Sequence, residues 1–553
     1  MHRFKRAPWV LALAGAVTAA ACSDPLAVEN TNNPNRGSVF NLPRDVEGLS
    51  GTLYQNVHAA QFSSVPTVGV YPALLVLAFE NASSLNNFAM GPRSVLPRPF
   101  IDNSPGNPFI NENLREFQRT QNTARTAATI FETINTPTFT LANAGADIRL
   151  RAFTWFGYGV ALGTTALVYD SAAIPRPGDG ENTPPLVGYD SVMRAALTAL
   201  DSAQANATRA GMAAIPAAWL AQSANVPAAD FVRLIRAYRA RFRANVARSL
   251  QERQAVNWAA VIADATNGLA VSATNASGDF TLQLNPNSGY DYVWLTAHYA
   301  TGAANWHQMP PYIIGMADTS GAYDAWLSTP RNNRSAFLIQ TPDRRFPAGA
   351  TRAVQSTNSP LNGAPATLYF RNRNAGEDQP GAPWAVSQYD HNRWRALQQA
   401  GRVGPWPTFT KVENDMLAAE GYIRTGNVAA ADSLINVSRV RNGLSPLSGG
   451  VITGGVACVP RVPDPARGNT ATKCGDAYEA MKYEKRMETA YAGYGVWYFD
   501  SRGWGDLAEG TPIHWPTPTQ ERDARGLPSY SLGGVGNPGG AARSTYGFGS
   551  GDL

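Results

Sequence analysis

The chain has 553 residues, 46 Lys and Arg against 41 Asp and Glu, and a formal charge of +5. Arg3, Lys5 and Arg6 stand at its start; without them the charge is +2, and no dense Lys/Arg run remains outside residues 233–253, which argues against a nucleic-acid partner. The length suits three average domains or one large one.

Residues 1–21 read as a secretory signal peptide. Met1-His-Arg-Phe-Lys-Arg is a positive start, Ala7 to Ala21 is mostly apolar, and Ala19-Ala20-Ala21 supplies small residues before Cys22. About 15 apolar residues are too few for a membrane span, which needs roughly 20. Cys22 is similar to the cysteine of a bacterial lipobox, although Ala19 stands where a large aliphatic is usual. Its acylation would hold the exported chain on a membrane. Residues 22–40, polar from Asn30 to Asn35, read as a tether. The body, residues 41–553, reads as one domain. It has a helical scaffold over about 41–270 and 408–505, and a loop-rich ligand-binding region over about 271–407.

Helical periodicity starts at Asp45 to Ala60, with Val46, Leu49, Leu53 and Val57 on one face. Glu112 to Thr133 follows through Leu114, Phe117 and Ile130. Ile148 to Tyr169 is apolar enough to be buried on most faces. Tyr189 to Ala207 has Val192, Ala196, Leu197 and Leu200 in phase. Asp230 to Gln251 carries Phe231, Leu234, Ile235, Tyr238, Phe242 and Leu250 in one stripe, and Trp258 to Asn267 is its short partner. The arginines of this region, from Arg233 to Arg253, point around the helix, so they read as solvated or ion-paired.

From about residue 270 to 407 Gly, Pro, Asn and Thr become dense, and only Phe280-Thr-Leu-Gln-Leu alternates like a strand. Six of the 13 tryptophans fall here: Trp294, Trp306, Trp326, Trp384, Trp394 and Trp406. Aromatic faces suit sugar rings and apolar peptide side chains. The ligand-binding candidates are Tyr292, Trp294, Tyr299, Trp306, Tyr323 and Trp326. The competing reading is that such residues anchor irregular loops on the scaffold.

Helices resume at Thr410 to Thr425, Val428 to Asn442 and Asp476 to Trp497. Ala419 and Ala431 lie twelve apart, with Tyr422 between them and a break at Gly426-Asn427. That spacing lets two antiparallel helices approach closely, as in a tetratricopeptide repeat. With Cys22 acylated, Cys458 and Cys474 form an even pair in an exported chain, and a disulfide is the simplest reading. No metal or cofactor is expected: no histidine or further cysteine adjoins that pair, none of the six histidines sits at i, i+4 with another, and HExxH, GxSxG and phosphate-loop motifs are absent. Glu484 and Glu488 are close enough to resemble a retaining carboxylate pair. Two neighbours on one helix face cannot flank a bond, however, and Lys482, Lys485 and Arg486 adjoin them. No catalytic residue is assigned.

Four stretches together resemble the SusD/RagB family of outer-membrane nutrient-binding lipoproteins. They are Cys22-Ser-Asp-Pro-Leu-Ala-Val-Glu-Asn with the helix from Asp45 to Tyr54; Arg149-Leu-Arg-Ala-Phe153 leading into Leu167-Val-Tyr-Asp; Ala419-Glu-Gly-Tyr-Ile-Arg-Thr-Gly-Asn with Leu434 to Leu444; and Tyr483-Glu-Lys-Arg-Met-Glu488 through Trp497 to Gly505 and Ile513-His-Trp-Pro-Thr-Pro518. Gly493-Tyr-Gly-Val departs from the family's usual Glu-Gly-His-Arg-like stretch, and the insertion around Cys458 and Cys474 is unusual. The resemblance implies a mainly α fold of tetratricopeptide-like helix pairs with a loop-rich insertion and minor strands. It implies a surface lipoprotein of the outer membrane, not an enzyme, that takes an oligosaccharide or a peptide. It also implies a TonB-dependent barrel of the SusC type as partner. A helical-repeat scaffold for envelope assembly and a glycan hydrolase are the alternatives.

Overall fold

The structure is a computed structural model describing residues 40, 42–62, 70–83, 90–107, 114–141, 143–180, 182–272, 275–295, 307–378, 381–453, 458–537 and 539–549. Two units are distinguished, Met1–Val46 and Glu47–Leu553. Of the first, the described part is the start of the helix Pro43–Gly51. Cys22 and the signal and tether segments lie outside the described residues.

The second unit is mainly α. Its principal helices are α1 (Leu53–Phe62), α2 (Leu114–Ile134), α3 (Ala144–Val168), α4 (Tyr189–Ala207), α5 (Ala228–Asn245), α6 (Trp258–Thr266), α7 (Lys411–Arg424), α8 (Val428–Arg441), α9 (Ala477–Thr489) and α10 (Val496–Trp504). Each of α1 to α6 packs on the next, and α7 packs on α8 and α9. The array does not stop at the insertion: α6 packs directly on α7, although residues 267–410 separate them in sequence. The loop-rich region is thus an excursion between two helices adjacent in space. Its ends are joined by the longest strand pair among the described residues, β1 (Phe280–Leu284) antiparallel to β2 (Gly404–Phe409), with Leu282 opposite Trp406. β1 alternates as its sequence predicts, with Phe280, Leu282 and Leu284 buried.

Local chemistry sets the helix ends. Asn143 caps α3 by accepting the Ala146 N–H, and Thr410, Asn427 and Asp476 do the same for α7, α8 and α9. α3 is buried on nearly all faces. Its Gly157, Gly159 and Gly163 lie against Leu53 of α1, Leu200 of α4 and Phe242 of α5, where a Cβ would clash. Ala419 and Ala431 are both fully buried where α7 meets α8, in a core with Met416, Ile435, Met481 and Trp504.

Three predicted helices are shorter than expected. The first breaks at Thr52, whose hydroxyl donates to the Leu49 carbonyl. α5 ends at Asn245, because Arg248 turns inward onto the carbonyls of Ala166, Tyr169 and Ile513, and Ser249 caps a separate helix, Leu250–Gln254. Leu250 consequently leaves the buried stripe and is exposed. The last helix splits into α9 and α10, with Tyr491, Gly493 and Gly495 at positive φ. A Cβ at Gly493 would crowd the Thr408 carbonyl, and one at Gly495 would meet Leu74. Beyond the array, Cys458 and Cys474 are disulfide-bonded beside the strand pair Arg461–Pro463 and Thr472–Cys474.

Candidate functional site

Four of the six aromatic candidates are buried. Tyr292 is fully buried: its ring lies 5.5 Å from Phe62 and 5.0 Å from Trp406, and its hydroxyl bonds that of Tyr71. Tyr323 and Trp326 are buried against one another, near Phe337; Trp326 also packs on Tyr312, and the Arg334 guanidinium lies 4.2 Å from its ring. Trp294 is buried as well. These four hold irregular chain together, because loops without a backbone ladder need side-chain anchors. They offer no free stacking face. Tyr299 and Trp306 lie outside the described residues, as does His298.

The carboxylates of the family-like stretch on α9 are equally committed. Arg345 donates to Glu484, Glu488 and Asp343 at once. Ser438 bonds Glu484, and Asn442 bonds Glu488. Burial opposes ionisation of Glu488, but Arg345, Arg393 and Arg441 outweigh it and bring its pKa down to about 2. A glycosidase acid needs a raised pKa and an open path to substrate. The pair instead shares one buried guanidinium and joins the insertion, through Arg345, to α8 and α9. Further along α9, Lys485 pairs with Asp500, and Arg486 and Lys482 pair with Asp506. Most arginines of α5 and the segment after it are ion-paired as expected, whereas Arg248 is buried on backbone carbonyls. Arg236, Arg239 and Arg243 converge on Asp264, Arg241 meets Glu413, and Arg253 meets Glu420 and Asp500.

Above this network the insertion does present aromatic surface. Tyr369, Arg393 and Trp394 are each part-exposed. The Arg393 guanidinium lies 4.2 Å from the Tyr369 ring and 4.6 Å from the Trp394 ring. Three bonds to the C-terminal end of α9 fix the stack: Tyr369 hydroxyl to the Glu488 carboxylate at 3.0 Å, Arg393 to the Glu488 carbonyl at 2.7 Å, and Trp394 Nε1 to the Ala490 carbonyl at 3.3 Å. Burial first, then the Glu488 charge, pushes the Tyr369 hydroxyl up to about 12, so it stays a donor. Of the middle-region tryptophans among the described residues, Trp294, Trp326, Trp384 and Trp406 are buried and Trp394 is part-exposed. Sequence reasoning counted Trp394 but did not single it out. The available signal was its place between two arginines, in Arg393-Trp-Arg395.

A second feature lies at the neck of the insertion. A cleft of about 330 Å³ is bounded by residues 222–227, the start of α5, residues 269–270 and residues 275–283. Its polar groups are largely used internally: Gln222 donates to the Leu220 and Thr281 carbonyls, Asn275 to that of Asp279, and Arg233 to Asp230. Among the described residues, no group of three or more His, Cys, Asp or Glu side chains could hold a metal ion, and no helix is long and apolar enough to cross a membrane.

No family model matches the sequence, and no curated protein sequence does. Solved structures do match. A SusD superfamily protein from Bacteroides vulgatus ATCC 8482 is 13% identical, with 84% of this chain and 89% of that one covered and a TM-score of 0.51. A SusD superfamily protein from Bacteroides fragilis is 13% identical, covering 89% of this chain and 100% of that one at TM-score 0.52. A SusD-like carbohydrate binding protein from Bacteroides vulgatus ATCC 8482 is 10% identical over 92% and 94% of the two chains, at TM-score 0.50. The chain has the SusD-like fold.

Proposed function

We propose that this protein is a lipid-anchored outer-membrane protein, facing outside, that captures an oligosaccharide and passes it to a TonB-dependent barrel of the SusC type. A peptide is the second ligand class. The observation that carries the reading is the insertion itself. On a SusD-like array it leaves between α6 and α7, closes at its own neck, and holds the Tyr369–Arg393–Trp394 stack at its surface. An aromatic pair with fixed side chains offers contact area at little entropic cost, which suits sugar rings. The carbohydrate-binding structural neighbour agrees with that ligand class. Acylation of Cys22 would supply the anchor. The committed state of Glu484 and Glu488 supports capture over hydrolysis.

The test is a screen of the purified chain against oligosaccharides and peptides, following tryptophan fluorescence and the integrity of the ligand. Saturable binding with the ligand intact is expected, weakened by Trp394→Ala. Release of shorter sugars by the pure protein would overturn the reading in favour of a hydrolase. Co-purification of a TonB-dependent barrel with the protein extracted from its own membrane checks the partner.

A further inference from the structure

The charges around the aromatic stack are sorted by depth. Beneath it Asp343, Glu484 and Glu488 are buried and occupied. One Glu488 oxygen is taken by Arg345 and Asn442, the other by Tyr369 and Arg441. The surface layer is cationic. The Arg441 side chain is 52% exposed, and among the described residues its one salt bridge is to this already shared carboxylate. Arg393 is held by a backbone carbonyl and two rings and makes no salt bridge among the described residues, although the Glu488 charge lies within its electrostatic reach. Arg344 is exposed and makes no ion pair among the described residues. Its backbone N–H donates to the Asn442 carbonyl and its Nε lies close over Gly443, so it stands at the same rim. The part-exposed carboxylate in electrostatic reach, Asp279, accepts the Lys411 N–H at 2.7 Å, while the Lys411 amine pairs with Asp415.

A rim of arginines beside aromatic faces, with the neutralising acids buried and saturated, is complementary to a ring that carries an anion. Guanidinium is the group best matched to carboxylate, through paired N–H donors. We propose that the ligand of this surface is an acidic oligosaccharide of the uronate class, its ring on Trp394 and Tyr369 and its carboxylates on Arg344, Arg393 and Arg441. This rests on the oligosaccharide-capture reading above and narrows it.

The experiment uses the purified full chain in detergent and three probes: an oligogalacturonate, the same oligomer as its methyl ester, and a Glu-rich peptide. Saturable tryptophan quenching by the free acid is expected, with the uncharged ester about tenfold weaker or more. Raising salt from about 0.05 M to about 0.5 M should weaken the acid and leave the ester unchanged. Arg344→Ala and Arg393→Gln should each reduce acid binding several-fold. Arg344 is exposed and makes no ion pair among the described residues, so its variant keeps the test valid if Arg393→Gln fails to fold. Equal binding of acid and ester, or acid binding unmoved by Arg344→Ala, overturns the inference and leaves oligosaccharide capture standing. Preference for the Glu-rich peptide overturns it in favour of an acidic peptide. Binding of neither oligomer overturns the inference, and if the oligosaccharide screen described above is also empty the capture reading falls with it.

Discussion

Around α3 the chain is held by small and apolar groups: Gly157, Gly159 and Gly163 let three neighbouring helices approach, and nearly every face of the helix is buried. Around α9 it is held by charge, with Glu484, Lys485, Arg486 and Glu488 all buried and all paired. The difference follows from the backbone. A helix satisfies its own N–H and C=O groups, so its neighbours need supply only shape. The insertion and the segments after α10 have few ladders, and their carbonyls require donors. Arginine supplies several from one side chain. Arg352 bonds the carbonyls of Arg373 and Asn374, Arg334 bonds those of Leu327 and Thr329, and Arg502 bonds that of Ile513.

The contrast can be broken most severely at Arg345. Removing it takes a shared cation from three buried carboxylates, and Arg345→Ala should cost about 3–5 kcal/mol in urea unfolding, enough to loosen the insertion first. Limited proteolysis within residues 307–378 ahead of the helical array would show that order. Gly163→Ala probes the apolar side. The added methyl meets the Phe242 ring, and about 1–3 kcal/mol should be lost. A second change, Phe242→Leu, should return part of it in a double-mutant cycle, whereas no coupling would mean that the helices are not in tight contact.

Titration sharpens the comparison further. Burial raises the Glu80 and Glu116 carboxyls to about 8, while Glu420 and Glu488, although also buried, are brought down to about 2 by arginines. The first pair retains protons that the unfolded chain releases at its ordinary 4.5, so its contribution is full below that pH and is lost as pH rises through about 8. The second pair contributes above 4.5 and loses its contribution as pH falls towards 2. Glu116→Gln keeps an acceptor for the Tyr494 hydroxyl. It should raise the urea midpoint at about pH 9 and not at about pH 5. Equal shifts at both would show that Glu116 does not titrate between them. The smallest effect is expected on the surface of α4, where Arg194 and Asp190 are 71% and 59% exposed. Arg194→Ala should change stability by less than about 0.5 kcal/mol, and less still in high salt.

Much of the array was legible because amphipathic period and capping residues act locally. Tyr189 to Ala207 matches α4 residue for residue, and Ala419 and Ala431 meet as their spacing requires. The breaks at Val246 to Ser249 and at Ala490 to Gly495 were not legible. Arg248 finds its carbonyls 79 and 265 positions away, and Gly493 and Gly495 are placed against Thr408 and Leu74. The burial of Tyr292, Trp294, Tyr323 and Trp326 was not legible for the same reason. Composition reports that residues 271–407 are rich in rings, but whether a ring faces solvent depends on partners distant in the chain, as Tyr292 depends on Phe62, Tyr71 and Trp406. The sequence by itself determined most of the long helices, the strand Phe280–Leu284 and the sign of the charges, since these are properties of near neighbours. Only the tertiary structure decided which acids are neutralised and which arginines stay at the surface, because pairing of charges is settled by proximity in space, and buried carboxylates draw in the cations closest to them.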